Sequence, residues 1–438
     1  MAEETRSPGP NWPSFRQVVA APGKFLQVLG PGLITGASDD DPSGIATYSQ
    51  AGAQFGYATA WTLVVTYPLM CGIQEISGVI GRVTGRGIAG NLVRNQPGVL
   101  VKLLLGLMIL ANVCNLGADL GAMGSGLTLL IGGPSGLYVV GFAIITILLE
   151  VFLRYARYAN VLKWLTLSLL AYVGSVLVVN VPWGEVGLAI VWPKIEPTAD
   201  YAMIVVAVLG TTISPYLFFW QAGLEVEEQQ EHEEAKPLRL APEQAPDALR
   251  RIRWDTIVGM GLSNLIALCI MITTAATLHA HGVKDIQSAS QAAEALKPIA
   301  GKFAFLLFAG GIIGTGLLAL PSLAGSAAYA LGEAARWTVG LDQRPRRAKA
   351  FYGTIVVATL VGAAMNFVGI DPIKALIWSA VLNGVAAVPI MAMVVRMATQ
   401  SKVMGKFAIS RGLAINGWVG TGFMAVAVLV MFATMIFS

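Results

Sequence analysis

The sequence predicts an all-α polytopic membrane protein with eleven transmembrane helices. Ten of them form two inverted five-helix repeats in which helices 1 and 6 are broken, and one extra helix follows. Three observations lead there. Hydrophobic residues make up 55% of the 438 residues and charged residues only 12%, about half the charge of a typical soluble domain. Windows of about 20 apolar residues, the length that spans a bilayer, recur along the chain. Two of these windows are interrupted at their centres by Pro and polar residues, at positions that a five-plus-five arrangement would relate.

Residues 1–24 are polar and Pro-rich and read as a flexible cytoplasmic lead rather than a cleaved signal. Spans then centre on 27–57 (interrupted), 58–80, 101–131, 136–153, 160–180, 201–225 (interrupted), 254–279, 303–333, 351–369, 373–396 and 413–437. The first repeat covers 25–182, the second 201–396, and the eleventh helix 413–438. Pro321 in the eighth span is a candidate kink. Of the 29 Lys and Arg residues, all but Lys194, Lys284, Lys297, Lys302 and Lys374 fall in the N-terminal lead or in the loops after even-numbered spans. That bias orients the N-terminus to the cytoplasm and, with an odd span count, the C-terminus outside the plasma (inner) membrane. The distribution explains the net charge of +4 and gives no reason to expect nucleic acid. Cys71, Cys114 and Cys269 lie in apolar segments without paired spacing, as small hydrophobes do.

The first break is Asp39-Asp40-Asp41-Pro42-Ser43-Gly44. A carboxylate at the bilayer centre costs about 2.5–3.5 kcal/mol on the insertion scale. Treating the triplet as an exposed loop would leave two apolar halves too short to span. On an intact helix, successive residues point about 100° apart, so the three acids cannot face one ion. Asp41, beside the Pro where unwinding begins, is the expected ligand, and Asp39 and Asp40 are expected to line the approach. The sixth span carries Gly210-Thr211-Thr212-Ile213-Ser214-Pro215-Tyr216, and Pro42 and Pro215 are 173 residues apart. Unwound backbone at paired breaks presents carbonyl oxygens and helix C-termini, both suited to a cation.

Gly30-Pro31-Gly32, Asp41-Pro42-Ser43-Gly44 and the run from Gln50 to Tyr57 resemble the first helix of the Nramp family of divalent metal transporters. That family's Asp-Pro-Gly-Asn and Met-Pro-His fall on Asp41–Gly44 and on Ser214-Pro215-Tyr216. The resemblance implies a LeuT-like fold and alternating access. It also implies metal ligation by Asp41, by the backbone carbonyls of Ser38 and Thr211, and at the positions of Gly44 and Ser214. The family's Asn is replaced by Gly44 and its Met by Ser214. Loss of the thioether and the amide leaves oxygen donors and room, which favours hard cations. Mg²⁺ usually keeps several waters. The pattern is similar to the Nramp-related magnesium transporters, with Mg²⁺ as substrate and Mn²⁺ tolerated. The family's sixth-helix histidines fall on Tyr216 and Gln221, and its paired third-helix acids on Leu116 and Asp119. Thr212, Tyr216 and Gln221 are expected along the substrate path. Asp119 is either a residual proton route or a buried acid bonded to Asn115 or a neighbouring helix. The expectation is downhill, potential-driven uptake without proton coupling.

Other polar residues carry less. The acidic run Glu225–Glu234 reads as a solvated loop face, with a cation-attracting vestibule as the alternative. Glu75 and Gln74 read as interfacial, Glu150 as an ion pair with Arg154, and Asn383 beside Gly384 as a packing residue. His232, His279 and His281 lie in a loop or at the outer end of the seventh span. No hydrolase elbow or nucleotide loop is present, so neither an enzyme nor a cofactor is expected. The partners expected are a divalent metal ion and the lipid bilayer, with no obligate protein partner. The alternatives are a LeuT-fold transporter of an amino acid or organic cation, and a proton-coupled transition-metal transporter.

Overall fold

The computed structural model describes residues 31–152, 170–231 and 234–437. Its helices of six or more residues are α1 (Pro31–Asp39), α2 (Pro42–Phe55), α3 (Ala60–Thr84), α4 (Ile88–Asn95), α5 (Gly98–Ile131), α6 (Ser135–Phe152), α7 (Leu170–Val178) and α8 (Trp183–Val191). They continue as α9 (Ala199–Thr212), α10 (Pro215–Glu231), α11 (Ala245–Thr277), α12 (Ala289–Glu294), α13 (Ala304–Ala335), α14 (Lys349–Met365), α15 (Pro372–Thr399) and α16 (Arg411–Phe437). The first and sixth spans are broken where expected, between α1 and α2 and between α9 and α10.

Among the described residues eight helices are long and apolar enough to cross a membrane, or nine if the bent pair α7 and α8 is one span. The expected eleven is not reached by that measure, for three reasons. A 3-10 turn at Gly56–Thr59 joins α2 to α3 into one helical stretch. Helix α14 has only 17 residues. Residues 160–169 of the fifth expected span, and Arg154 before it, lie outside the described residues. Two boundaries also differ. Helix α8, bent 118° from α7, forms in a stretch expected to be loop. Helix α11 starts at Ala245, so Arg250, Arg251 and Arg253 stand on a helix. Pro321 lies inside α13, with helix on both sides of it.

Glycines let the helices approach. A side chain at Gly36 of α1 would run into the backbone of Gly259 on α11, and one at Gly210 of α9 into Ala380 and Gly384 of α15. Close contact through small residues suits packing in lipid, where no hydrophobic force drives helices together. The Gly210–Gly384 contact supports the packing role expected beside Asn383. Helix α5, 34 residues long and so about 51 Å, packs against α6, α13, α14 and α15. Leu103, Leu110, Ile144, Leu148, Val357 and Leu429 stand exposed, which fits a surface that meets acyl chains.

The first part of the acidic run, Glu225–Glu231, is neither a loop nor freely solvated. It is helical through Glu231. Glu225 is fully buried and pairs with Arg251 at 2.6 Å, and Glu228 meets the same guanidinium at 2.8 Å. Glu227 accepts from Tyr329 Oη and the Leu341 N–H. These acids tie α10 to α11, to α13 and to the segment after α13. A carboxylate left unpaired there would be costly to bury.

Candidate metal site at the helix breaks

Asp41 caps the new helix α2. Its backbone is extended (φ −74, ψ 169), and its side chain accepts from the Gly44 N–H at 2.6 Å. Pro42 occupies the first helical position, where its missing N–H costs nothing. The cap satisfies an N–H that the start of a helix leaves free. The other carboxylate oxygen accepts from Asn115 Nδ2 on α5 at 2.8 Å. Asn115 Oδ1 in turn accepts from Ser379 Oγ on α15 at 2.7 Å, and Ser43 Oγ donates to the Leu376 carbonyl at 3.2 Å. Three helices thus clasp one buried carboxylate. Tyr216 and the Ser43 N–H also lie within hydrogen-bonding reach of this carboxylate, so a cation would compete with these donors for its about four acceptor positions.

The sixth span opens opposite. Ile213 leaves helical geometry (φ −119, ψ 57) and Pro215 begins α10. Gly44 brings the two breaks together. A Cβ built there would lie 3.1 Å from Thr211 Oγ1, 3.2 Å from Tyr48 Cε2 and 3.4 Å from Asp41 Oδ1. The bare glycine therefore admits the Thr211 hydroxyl to the side of the carboxylate.

The two carbonyls expected to face the ion already have donors. Tyr216 Oη donates to the Ser38 carbonyl at 3.1 Å. Ser214 Oγ lies 2.6 Å from the Gly210 carbonyl and 3.0 Å from that of Thr211. Each carbonyl has a second lone pair. Thr212 Oγ1 returns to the Val208 carbonyl at 2.9 Å. Gln221 Nε2 reaches Glu225 Oε1 at 3.5 Å, and Gln221 Oε1 has no partner.

Asp39 and Asp40 turn away from Asp41. Ser263 Oγ on α11 lies 2.6 Å from Asp39 Oδ2 and 3.0 Å from Asp40 Oδ1. Both acids are buried (1% and 5% exposed), so neither borders water in this structure. Among the described residues no group of three or more His, Cys, Asp or Glu is arranged around one metal position.

Asp119 is fully buried, and among the described residues its carboxylate has only the Ser43 backbone N–H within hydrogen-bonding reach. It stands within electrostatic reach of Asp41 and beside the Ser43 backbone. The expected bond to Asn115 is a correction: Asn115 gives its amide to Asp41 instead. Glu150 is buried too and has no hydrogen-bond partner among the described residues, which do not include Arg154.

Asn115, Ser379 and Tyr48 were not singled out as site residues. Asn115 precedes Asp119 by four residues and Tyr48 follows Gly44 by four, so each shares a helix face with a residue that was. The run from Gln50 to Tyr57 meets the segment that follows α11. Gln50 accepts from the Ile286 N–H at 2.9 Å and donates to the Lys284 carbonyl at 3.2 Å. His279 Nδ1 lies 2.8 Å from the Ala53 carbonyl. His232 lies outside the described residues.

Residues 32–434 match the family model described as Nramp, natural resistance-associated macrophage protein-like. The chain is 26% identical over 90% of its length to the divalent metal cation transporter MntH of Klebsiella pneumoniae (strain 342), covering 91% of that protein. It is 25% identical over 94% of its length to the MntH of Acidiphilium cryptum (strain JF-5), again covering 91%. A crystal structure of the Eremococcus coleocola manganese transporter superposes with a TM-score of 0.71 at 17% identity, over 97% of this chain and 88% of that one. MhsT in complex with L-phenylalanine shares the fold at a TM-score of 0.61 and 14% identity, over 92% of this chain and 98% of that one.

Proposed function

The chain belongs to the Nramp family, and from that premise we propose that it transports divalent metal ions across the membrane by alternating access. Mg²⁺ is the principal substrate and Mn²⁺ also passes. The observation that carries the reading is Asp41, a buried carboxylate held by donors from two helices and set where the first span breaks, close to the break of the sixth. The metal-transporting relatives support the divalent class. The donor set supports the hard cation: Ser214 and Gly44 supply neither thioether nor amide, and the Thr211 hydroxyl stands beside Gly44. Ser38 and Thr211 contribute carbonyls once the ion competes with Tyr216 and Ser214. Asp39, Asp40, Thr212, Tyr216 and Gln221 lie along the route.

Transport is driven by the membrane potential. A divalent ion gains roughly 4.6 kcal/mol across 100 mV, an equilibrium ratio of roughly two thousand. Residues 25–182 and 201–396 are the inverted repeats, the N-terminus is cytoplasmic, and the C-terminus is outside the inner membrane. Asp119, buried within electrostatic reach of Asp41, favours a second reading in which a proton moves with the metal.

Calorimetric titration of the purified protein tests the class of substrate. Saturable binding of Mg²⁺ and Mn²⁺ that is lost in Asp41→Ala is expected. Retention of an amino acid with no response to either metal would refute the reading.

A further inference from the structure

Two adjoining clefts, of about 510 Å³ and about 470 Å³, open where the basic end of α11 meets α3 and the start of α16. Glu75, Arg253 and Ile257 border both. Arg250, Arg253, Trp254 and Ile257 stand at i, i+3, i+4 and i+7 of α11, so one helix face forms a wall. Arg251 turns the other way, to Glu225 and Glu228. Arg250 and Arg253 are exposed, and among the described residues neither guanidinium makes a hydrogen bond or a direct ion pair. Arg411, also exposed, stands between Ser410 and Gly412, which line the opposite side. Glu75 is the one acid at the border, within electrostatic reach of Arg253. Three arginines thus face one carboxylate, and the surplus charge suits an anion.

The surroundings of the cleft narrow that anion. Trp254 is 46% exposed, as aromatic residues at a membrane interface commonly are. Farther along the same two helices, Leu262 and Leu265 of α11 and Ile415 and Trp418 of α16 are exposed. A soluble anion would use the arginines and leave this apolar track idle, whereas a lipid uses both. Guanidinium groups match phosphate oxygens in paired hydrogen bonds, and basic pockets between membrane helices suit acidic headgroups. Residues 1–24 carry Arg6, Arg16 and Lys24 against Glu3 and Glu4, so their charge does not complement the arginines. We infer that the cleft binds a glycerophospholipid of net negative charge, with its phosphate among Arg250, Arg253 and Arg411 and its acyl chains along α11 and α16. The site shares no residue with the helix breaks and stands independently of the metal reading.

Native mass spectrometry of the detergent-purified full chain, given equal amounts of phosphatidylglycerol and phosphatidylethanolamine, tests this. Wild type retains one phosphatidylglycerol in preference to phosphatidylethanolamine. Arg250→Gln and Arg253→Gln each weaken that retention about fivefold, the worth of one arginine near an anionic headgroup, and the double variant weakens it about 25-fold. Glu75→Gln removes the acid from the cleft and strengthens retention, a gain that loss of folding cannot mimic. Arg346→Gln, at an exposed arginine on the segment after α13, leaves it unchanged. Equal retention of the two lipids by wild type overturns the inference. So does a loss in Arg346→Gln as large as that in Arg253→Gln, which would mark a general charge effect. Displacement of the lipid by glycerol 3-phosphate would assign the cleft to soluble phosphate esters. A lipid preference that emerges only when residues 1–24 are removed would assign it to that segment. Either result overturns the lipid assignment.

Discussion

At the first break the Asp41 carboxylate caps the new helix, whereas at the sixth break the Ser214 hydroxyl is committed to the carbonyls of Gly210 and Thr211. Both breaks use a Pro at the first position of the following helix. The difference lies in the residue before it. A carboxylate there brings charge and is in turn held by Asn115, while a hydroxyl closes on its own turn. One break is thus built to present a ligand, and the other to present backbone and little else. On the proposed reading, an ion at this junction would meet one strong side-chain ligand, with water to complete its shell.

If the breaks differ in this way, substitutions at them should differ in scale. Asp41→Ala should have the largest effect. Hydrogen bonds to charged groups reach about 3 kcal/mol, roughly 100-fold, and a bond to a divalent ion exceeds that, so saturable Mg²⁺ uptake should fall by at least that factor. Asn115→Leu keeps the carboxylate but removes the amide that orients it. Loss of such a supporting contact typically costs about 10–100-fold in metal affinity, so a fall of about tenfold is expected in a Mg²⁺ titration. An unchanged affinity would show that the clasp does not orient Asp41.

Gly44→Asn with Ser214→Met tests whether the missing ligands set the preference. The ratio of Mn²⁺ to Mg²⁺ uptake should rise severalfold, since a thioether suits softer metals. Gly44→Asn alone should reduce uptake of both, because even a Cβ there is tight against Thr211 and Tyr48. Ser214→Ala should have the smallest effect, within about twofold, because its hydroxyl serves its own helix turn. A large loss of Mg²⁺ uptake in that variant would abolish the contrast between the breaks.

The breaks could be read from the chain because Pro, Gly and acids within apolar windows are local signals, and the choice of Asp41 followed from its place beside Pro42. The clasp could not be read that way. Asn115 and Ser379 are 264 residues apart, and neither residue type marks a partner in advance. The acidic run was misread for the same reason. Glu225 finds Arg251 across 26 residues only because α10 and α11 pack together, and its composition alone resembles a solvated loop. Helix α8 was missed because nine residues between Pro182 and Trp192 are too few for a span and carry no cap side chain.

The central claim is that one carboxylate at the first break binds a divalent ion whose movement needs no proton. Mg²⁺ uptake under an inside-negative potential, in proteoliposomes loaded with a pH dye, tests it directly for wild type beside Asp41→Ala. The account predicts saturable uptake in wild type with no internal acidification, and none in Asp41→Ala. Undiminished uptake by Asp41→Ala would contradict the site, and acidification that tracks Mg²⁺ entry in wild type would contradict the proton-free mechanism.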